Sequence, residues 1–187
     1  VGSEGARQLE ACLPYIKFLE AALEALPESF IFRTAERGMN CRRGVKHVFP
    51  GYPGGPDPEH QVHDPVSHYP VGSTVCWYQF CSTSEDLAVM DHDQFCGQKP
   101  GPRTIFEVEI ILGFRISAFS FYGQSEAEVL LLPLTELEVL VATKLCNPNP
   151  TPGHAGFPDV VKLKQLPSAG FLERQVDSLR LELLAER

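Results

Sequence analysis

The stretch Phe119-Ser-Phe-Tyr-Gly-Gln-Ser-Glu126-Ala-Glu128-Val-Leu-Leu-Leu-Pro133 joins an aromatic turn, two carboxylates one residue apart and an unbroken apolar run. Read as a strand from Glu126 to Leu132, period two puts Glu126 and Glu128 on one face and Ala127 on the other. Two carboxylates at the mouth of a buried strand repel each other, so such a pair calls for a cation. By itself the pattern more often marks an exposed acidic turn before a core strand. Its meaning depends on the rest of the chain.

Working outward, Arg103-Thr-Ile-Phe-Glu-Val-Glu-Ile-Ile-Leu and Arg115 to Phe121 read as strands just upstream, and Glu136 to Lys144 as one just downstream. Farther on, Asp159-Val-Val-Lys-Leu-Lys-Gln-Leu alternates as a half-buried strand does, and Phe171 to Arg187 has a helical leucine pattern. Upstream, Thr74-Val-Cys-Trp-Tyr-Gln-Phe80 is a strand with both faces largely apolar. It runs into Cys81-Ser82-Thr83-Ser84, where Ser84 is placed to N-cap a short helix over Leu87-Ala-Val-Met. Gly44 to Pro70 is Pro/Gly-rich loop chemistry holding His47, His60, His63 and His68. His60 and His63 with Asp64 are the only metal-like grouping, and so flexible a loop is a poor cage; no metal is expected. Leu9 to Leu26 carries an amphipathic helical stripe, interrupted by Pro14 and ended by Pro27. Ser29-Phe-Ile-Phe-Arg33 then reads as a strand that delivers an arginine at its end. Helices at the start and strands bunched behind them give an α+β domain with a mostly antiparallel sheet or sandwich.

The 187 residues fit one domain with a real core. A net charge of −8 argues against nucleic acid as a partner, and Arg42-Arg43 with Lys46 is too small a cluster to reverse that. No apolar run approaches the roughly 20 residues of a membrane span. Val1-Gly-Ser-Glu reads as a cut in a longer protein, which leaves targeting open. The six cysteines, Cys12, Cys41, Cys76, Cys81, Cys96 and Cys146, match no zinc spacing. They read as reduced thiols, a pattern that favours an intracellular setting.

Taken in order, the chain shows an arginine ending a strand, a Ser-Thr-Ser ending an aromatic strand and a Glu-x-Glu opening another. That order resembles the arginine-specific mono-ADP-ribosyltransferases, the R-S-E class of NAD(P)+–protein-arginine ADP-ribosyltransferases. Three blocks carry the resemblance. Ala21-Ala-Leu-Glu-Ala-Leu-Pro-Glu-Ser-Phe-Ile-Phe-Arg33 looks like the family's helix, Leu-Pro break and arginine strand. Tyr69-Pro-Val-Gly-Ser-Thr-Val-Cys-Trp-Tyr-Gln-Phe-Cys-Ser82-Thr83-Ser84 looks like its Y-x-x-G…W-x-x-F-x-S-T-S segment. Ile116-Ser-Ala-Phe-Ser-Phe…Glu126-Ala-Glu128-Val-Leu-Leu-Leu-Pro133 looks like its E-x-E segment. Coverage runs from about Leu9 to about Leu166.

The resemblance implies an ADP-ribosyltransferase-like α+β fold, with an N-terminal helix and a mostly antiparallel two-sheet core around an NAD cleft. It implies a monomer that moves ADP-ribose from NAD+, as co-substrate, to arginine on a protein, and residues 1–187 as its single catalytic domain. An arginine fork suits the pyrophosphate, and Arg33 is placed there, beside Thr34. Breaking the nicotinamide bond develops oxocarbenium character at the ribose, as in glycoside chemistry. Glu128 is assigned to that sugar, with Ser82 orienting it and Thr83 and Ser84 lining the same wall. Phe95 is assigned to the nicotinamide side. Glu126 and Tyr122 are assigned to the acceptor, whose strongly basic guanidinium must lose a proton to react. Glycine usually follows the family's arginine, yet Thr34 follows Arg33. Arg37-Gly38 is the alternative, without the apolar approach that Phe30-Ile-Phe gives Arg33. NAD+ hydrolysis on the same scaffold, or a binding domain without chemistry, are the other functions the pattern allows.

Overall fold

The computed structural model describes residues 3–46, 65–99, 103–145 and 156–167. The histidine-bearing loop from His47 through Asp64, Cys146 and the leucine-patterned tail from Phe171 lie outside them. A helix α1 (Ser3–Glu24) opens the chain and contains Pro14. Its last turns bury Leu23, with Leu19 and Leu26 beside it, against Phe114 and Leu132. Pro27 then caps a 3₁₀ turn, Glu28–Phe30, because a ring-locked φ cannot continue the helix but can start a tighter one.

Nine strands follow: β1 (Ile31–Arg33), β2 (Met39–Val45), β3 (Thr74–Trp77), β4 (Cys81–Ser84), β5 (Thr104–Ile110), β6 (Leu112–Arg115), β7 (Glu128–Leu131), β8 (Thr135–Thr143) and β9 (Asp159–Gln165). A one-turn helix α2 (Pro65–His68) stands where loop was expected. The strands form one mixed sheet in the order β1-β6-β7-β4-β2-β5-β9-β8-β3. All pairings are antiparallel except β5 with β9. The two-sheet core of the sequence reading is therefore one hydrogen-bonded sheet. It divides into two lobes, because β4 and β2 meet through a single register pair, Arg42 with Ser84.

The β5 strand shows why the central lobe forms. Thr104, Phe106, Val108 and Ile110 are buried on one face while Ile105, Glu107 and Glu109 are half-buried on the other. The alternation expected for β9 is present too: Asp159, Val161, Leu163 and Gln165 are buried, Lys162 and Lys164 exposed. Trp77 and Tyr69 close over Phe106, with ring centroids 5.9 and 5.2 Å away.

Two expectations are corrected and one strand is added. The strand from Thr74 does not run on to Ser84: it breaks at exposed Tyr78, and β3 and β4 join different lobes. The strand from Arg115 ends at once, because Phe119 and Ser120 donate their N–H groups back to the Ile116 carbonyl and close a turn. The β2 strand has no apolar alternation to announce it and only Cys41 is buried along it. It exists because a seven-residue register with β5 satisfies its backbone, a tertiary pairing that overrides weak local preference.

Burial raises the thiol of Cys41 from near 9 to about 11, and raises those of Cys81 and the Tyr69 phenol as well. Each folded-state value lies above its unfolded one, so the stability that Cys41 contributes is intact below pH 9 and is lost as pH rises toward 11, while that of Tyr69 is lost only above pH 10. The urea midpoint is expected to fall steadily across that window. For Cys41→Ser, which keeps a small polar side chain but does not ionise there, the fall should be shallower by an amount on the order of 2 kcal/mol at most.

Candidate active site

The seam between the lobes is open on one side as a cavity of about 210 Å³, lined among others by Arg42, Arg43, Ser82, Phe95, Glu126 and Glu128. One wall is β4 against β7. Their register sets Ser84 opposite Glu128 and Ser82 opposite Leu130, so Ser82 and Glu128 are diagonal neighbours on one face. The Ser82 hydroxyl donates to Glu128 Oε1 at 2.7 Å. Thr83 is turned inward, its hydroxyl donating to the Val129 carbonyl at 2.7 Å. Ser84 does not cap a helix: its hydroxyl donates to the Glu126 carbonyl at 2.6 Å, and Asp86 caps the 3₁₀ turn Leu87–Asp91 in its place.

Glu126 and Glu128 share the cavity, but not through strand alternation. Glu126 ends a 3₁₀ turn, Gly123–Glu126, and β7 begins only at Glu128. Between them Ala127 is left-handed, φ 43 and ψ 47, a conformation that costs a non-glycine residue about 1 kcal/mol or more. Neighbours hold it there. Glu85 N–H donates to the Ala127 carbonyl at 3.1 Å, and Glu128 N–H donates to the Ser117 hydroxyl at 2.8 Å. A kinked backbone thus brings both carboxylates to one cleft.

Arg33 is not brought to the cavity. It is exposed at the end of β1, an edge strand separated from β4 by β6 and β7. Thr34 leaves with it, its N–H bonded to the Ile111 carbonyl at 2.9 Å. The alternative, Arg37, is exposed in the turn before β2 and does not line the cavity either. The arginines that do are Arg42 and Arg43 on β2. Arg42 NH1 donates to the Glu85 carbonyl and Arg43 NH1 to the Ser82 carbonyl, each at 2.8 Å. The signal that would have found them is Arg43-Gly44, the arginine-glycine pair that Arg33-Thr34 lacks. Nothing local marks β2 as a strand, so the pair has no strand signal to place it.

Gly44 has a packing reason to be glycine. A Cβ there would stand 2.9 Å from Cys96 Cβ and from the Cys96 backbone nitrogen. The segment carrying Gln94 and Phe95 therefore lies directly against β2. Arg103 NH1 donates to the Gly97 carbonyl at 2.6 Å and fixes its far end. Tyr122 stands 54% exposed at the head of the Gly123–Glu126 turn, edge-on to Phe121, and does not line the cavity. On the other side of Glu128, a second cavity of about 290 Å³ contains the ion pair Arg115–Glu85, at 2.6 Å.

The cleft brings two guanidinium groups and two carboxylates together. The Nε atoms of Arg42 and Arg43 are buried and have no hydrogen-bond partner among the described residues. Buried donors of this kind are costly unless something accepts from them. A phosphate oxygen is the natural acceptor for a guanidinium.

The backbone resembles that of known proteins. Over 84% of this chain it overlays on HopU1 of Pseudomonas syringae pv. tomato, an ADP-ribosyltransferase, with a TM-score of 0.55 at 20% identity. Vis toxin, an ADP-ribosyltransferase from Vibrio splendidus, matches over 88% of the chain with a TM-score of 0.50 at 20% identity. A further Vis structure, in complex with agmatine, matches over 85% with a TM-score of 0.51 at 19% identity. The fold is that of the ADP-ribosyltransferases. The chain spans 55% of HopU1 and 60% of each Vis chain. No family model and no curated protein sequence matches it. At this level of identity the ADP-ribosyltransferase fold is established through backbone shape rather than through sequence.

Gly44→Ala is expected to lower stability by about 1 to 3 kcal/mol, the usual cost of overpacking, with the loss read from urea denaturation. Because the clash falls on the segment bearing Phe95, the same variant should also show altered protease sensitivity between Met90 and Gly97. An unchanged midpoint would mean that this segment does not rest on β2.

Proposed function

We propose that this protein transfers ADP-ribose from NAD+ to the guanidinium of arginine on a protein, releasing nicotinamide. The observation that carries the reading is the Ser82–Glu128 hydrogen bond set beside Glu126 and two cleft arginines. The fold supports transfer of ADP-ribose, and the bound agmatine of the similar Vis structure, itself a guanidine, supports this acceptor class.

In this reading NAD+ supplies an electrophilic ribose carbon and a neutral leaving group. Arg43 replaces Arg33 as the pyrophosphate ligand, with Gly44 behind it and Arg42 adding a second positive charge. Ser82 fixes the Glu128 carboxylate so that its free oxygen faces the ribose, where it offsets the positive charge that grows as the nicotinamide bond breaks. The bonding electrons leave with nicotinamide. Phe95, from the facing segment, borders the ring. Glu126 receives the acceptor guanidinium, orients one nitrogen toward the ribose carbon and takes the proton that nitrogen sheds. Tyr122, four residues before Glu126 on the exposed turn, is placed toward the protein that brings the arginine. Thr83 and Ser84 act through the backbone, holding β7 and the Glu126 turn in place.

Labelled NAD+ with agmatine, in wild type and variants, tests the assignment. Glu128→Gln is expected to lower both transfer and NAD+ hydrolysis by about a hundredfold or more. Glu126→Gln should abolish transfer to agmatine and reduce hydrolysis far less, since water needs no such orientation. Arg43→Ala should raise the KM for NAD+ well above any effect of Arg33→Ala. Full activity in both glutamate variants would sink the assignment.

A further inference from the structure

Across the mouth of the cleft, Gln94 Nε2 donates to Glu126 Oε1 at 2.7 Å. This bond ties the segment that carries Phe95 to the turn that carries the acceptor glutamate, two parts of the chain 32 residues apart. We propose that Gln94 is a positioning residue for the arginine acceptor, holding the Glu126 carboxylate in the orientation that captures a guanidinium. The inference rests on the transferase reading above and adds a determinant of acceptor specificity to it.

Three observations carry it. Glu126 sits at the end of a short 3₁₀ turn just before a left-handed residue. Its backbone is held by Ser84, while its side chain extends half-buried into the cleft and would swing without a partner. Gln94 is itself on a fixed support. Cys96, two residues on, is buried against Gly44; the Phe95 N–H donates to the His92 carbonyl, and the Gly97 N–H to the Met90 carbonyl, both at 2.9 Å. Finally, the donor is neutral. An ammonium or guanidinium at position 94 would orient Glu126 equally well but cancel the charge that draws the acceptor. An amide fixes the carboxylate and leaves its charge unspent. A carboxylate has about four acceptor positions, so Gln94 on Oε1 still leaves room for a two-point contact with a guanidinium.

The experiment compares wild type with Gln94→Ala and Gln94→Lys in two assays: agmatine binding by calorimetry, and the partition of NAD+ between transfer and hydrolysis. Gln94→Ala is expected to weaken agmatine binding and to lower the transfer-to-hydrolysis ratio, each by about tenfold, the scale of one hydrogen bond to a charged group. Gln94→Lys should be worse on both counts, because it supplies a competing cation in place. Gln94→Asn, with the amide one methylene short, should restore part of the ratio. The proposal is overturned if transfer and hydrolysis fall in parallel, if agmatine binds Gln94→Ala as tightly as wild type or more tightly, or if Gln94→Lys transfers normally. If agmatine binding responds as expected but wild type consumes no NAD+, the acceptor site stands and the transferase reading falls.

Discussion

Everything in this fold hangs on a narrow seam. Two lobes of a nine-strand sheet share one buried core, Cys81, Val129 and Leu131 of one packing with Cys41, Phe106 and Val108 of the other, but they pair strand to strand at a single register position, Arg42 with Ser84, and a ladder that short holds little by itself. Two guanidinium groups reinforce it, Arg42 on the Glu85 carbonyl and Arg43 on the Ser82 carbonyl, both charge-assisted and both at 2.8 Å. The same two side chains line the cleft, and their Nε donors are buried without a partner among the described residues. One pair of residues thereby both braces the seam and lines the cleft.

The second constraint is the route of the backbone past Ala127. A strand through Glu126 and Glu128 would set two carboxylates side by side in a regular pleat. The left-handed residue turns the chain instead, so Glu126 projects from a turn and Glu128 from a strand start. Each then has its own partner. Ser82, on a rigid strand, holds Glu128, and Gln94, on a segment packed against Gly44, holds Glu126. The two acids differ in their supports, which is the physical basis for giving them different tasks. The strain of this non-glycine αL residue is offset by hydrogen bonds on it and on its two neighbours: Ser84 donates to the Glu126 carbonyl, Glu85 N–H to the Ala127 carbonyl, and Glu128 N–H to the Ser117 hydroxyl.

The buried faces of β5 and β9 and the leucine stripe at the end of α1 were legible because each is a local pattern with a fixed period, whereas the Ser-Thr-Ser and Glu-x-Glu blocks were legible through their resemblance to a known family. Ser82 beside Glu128 was anticipated from those blocks together. That Arg42 and Arg43 rather than Arg33 line the cleft was not. Arg33 has the better local setting, three apolar strand formers before it, and yet that strand lies at the far edge of its lobe. Arg43 has the better local dipeptide, but Met39-Asn-Cys-Arg-Arg-Gly-Val45 carries no alternation to place it on a strand.

The sequence by itself determined which short segments bury a face, where helix α1 stops, and which acidic and hydroxyl residues stand close along the chain. Those follow from side-chain periodicity and from the fixed φ of proline, which act over a few residues. Only the tertiary structure decided which arginines meet the acids, that Thr74 to Ser84 serves two lobes, and that Gln94 reaches Glu126. These depend on strand order and on register between segments tens of residues apart, and backbone pairing of that range is set by the whole sheet rather than by any stretch within it.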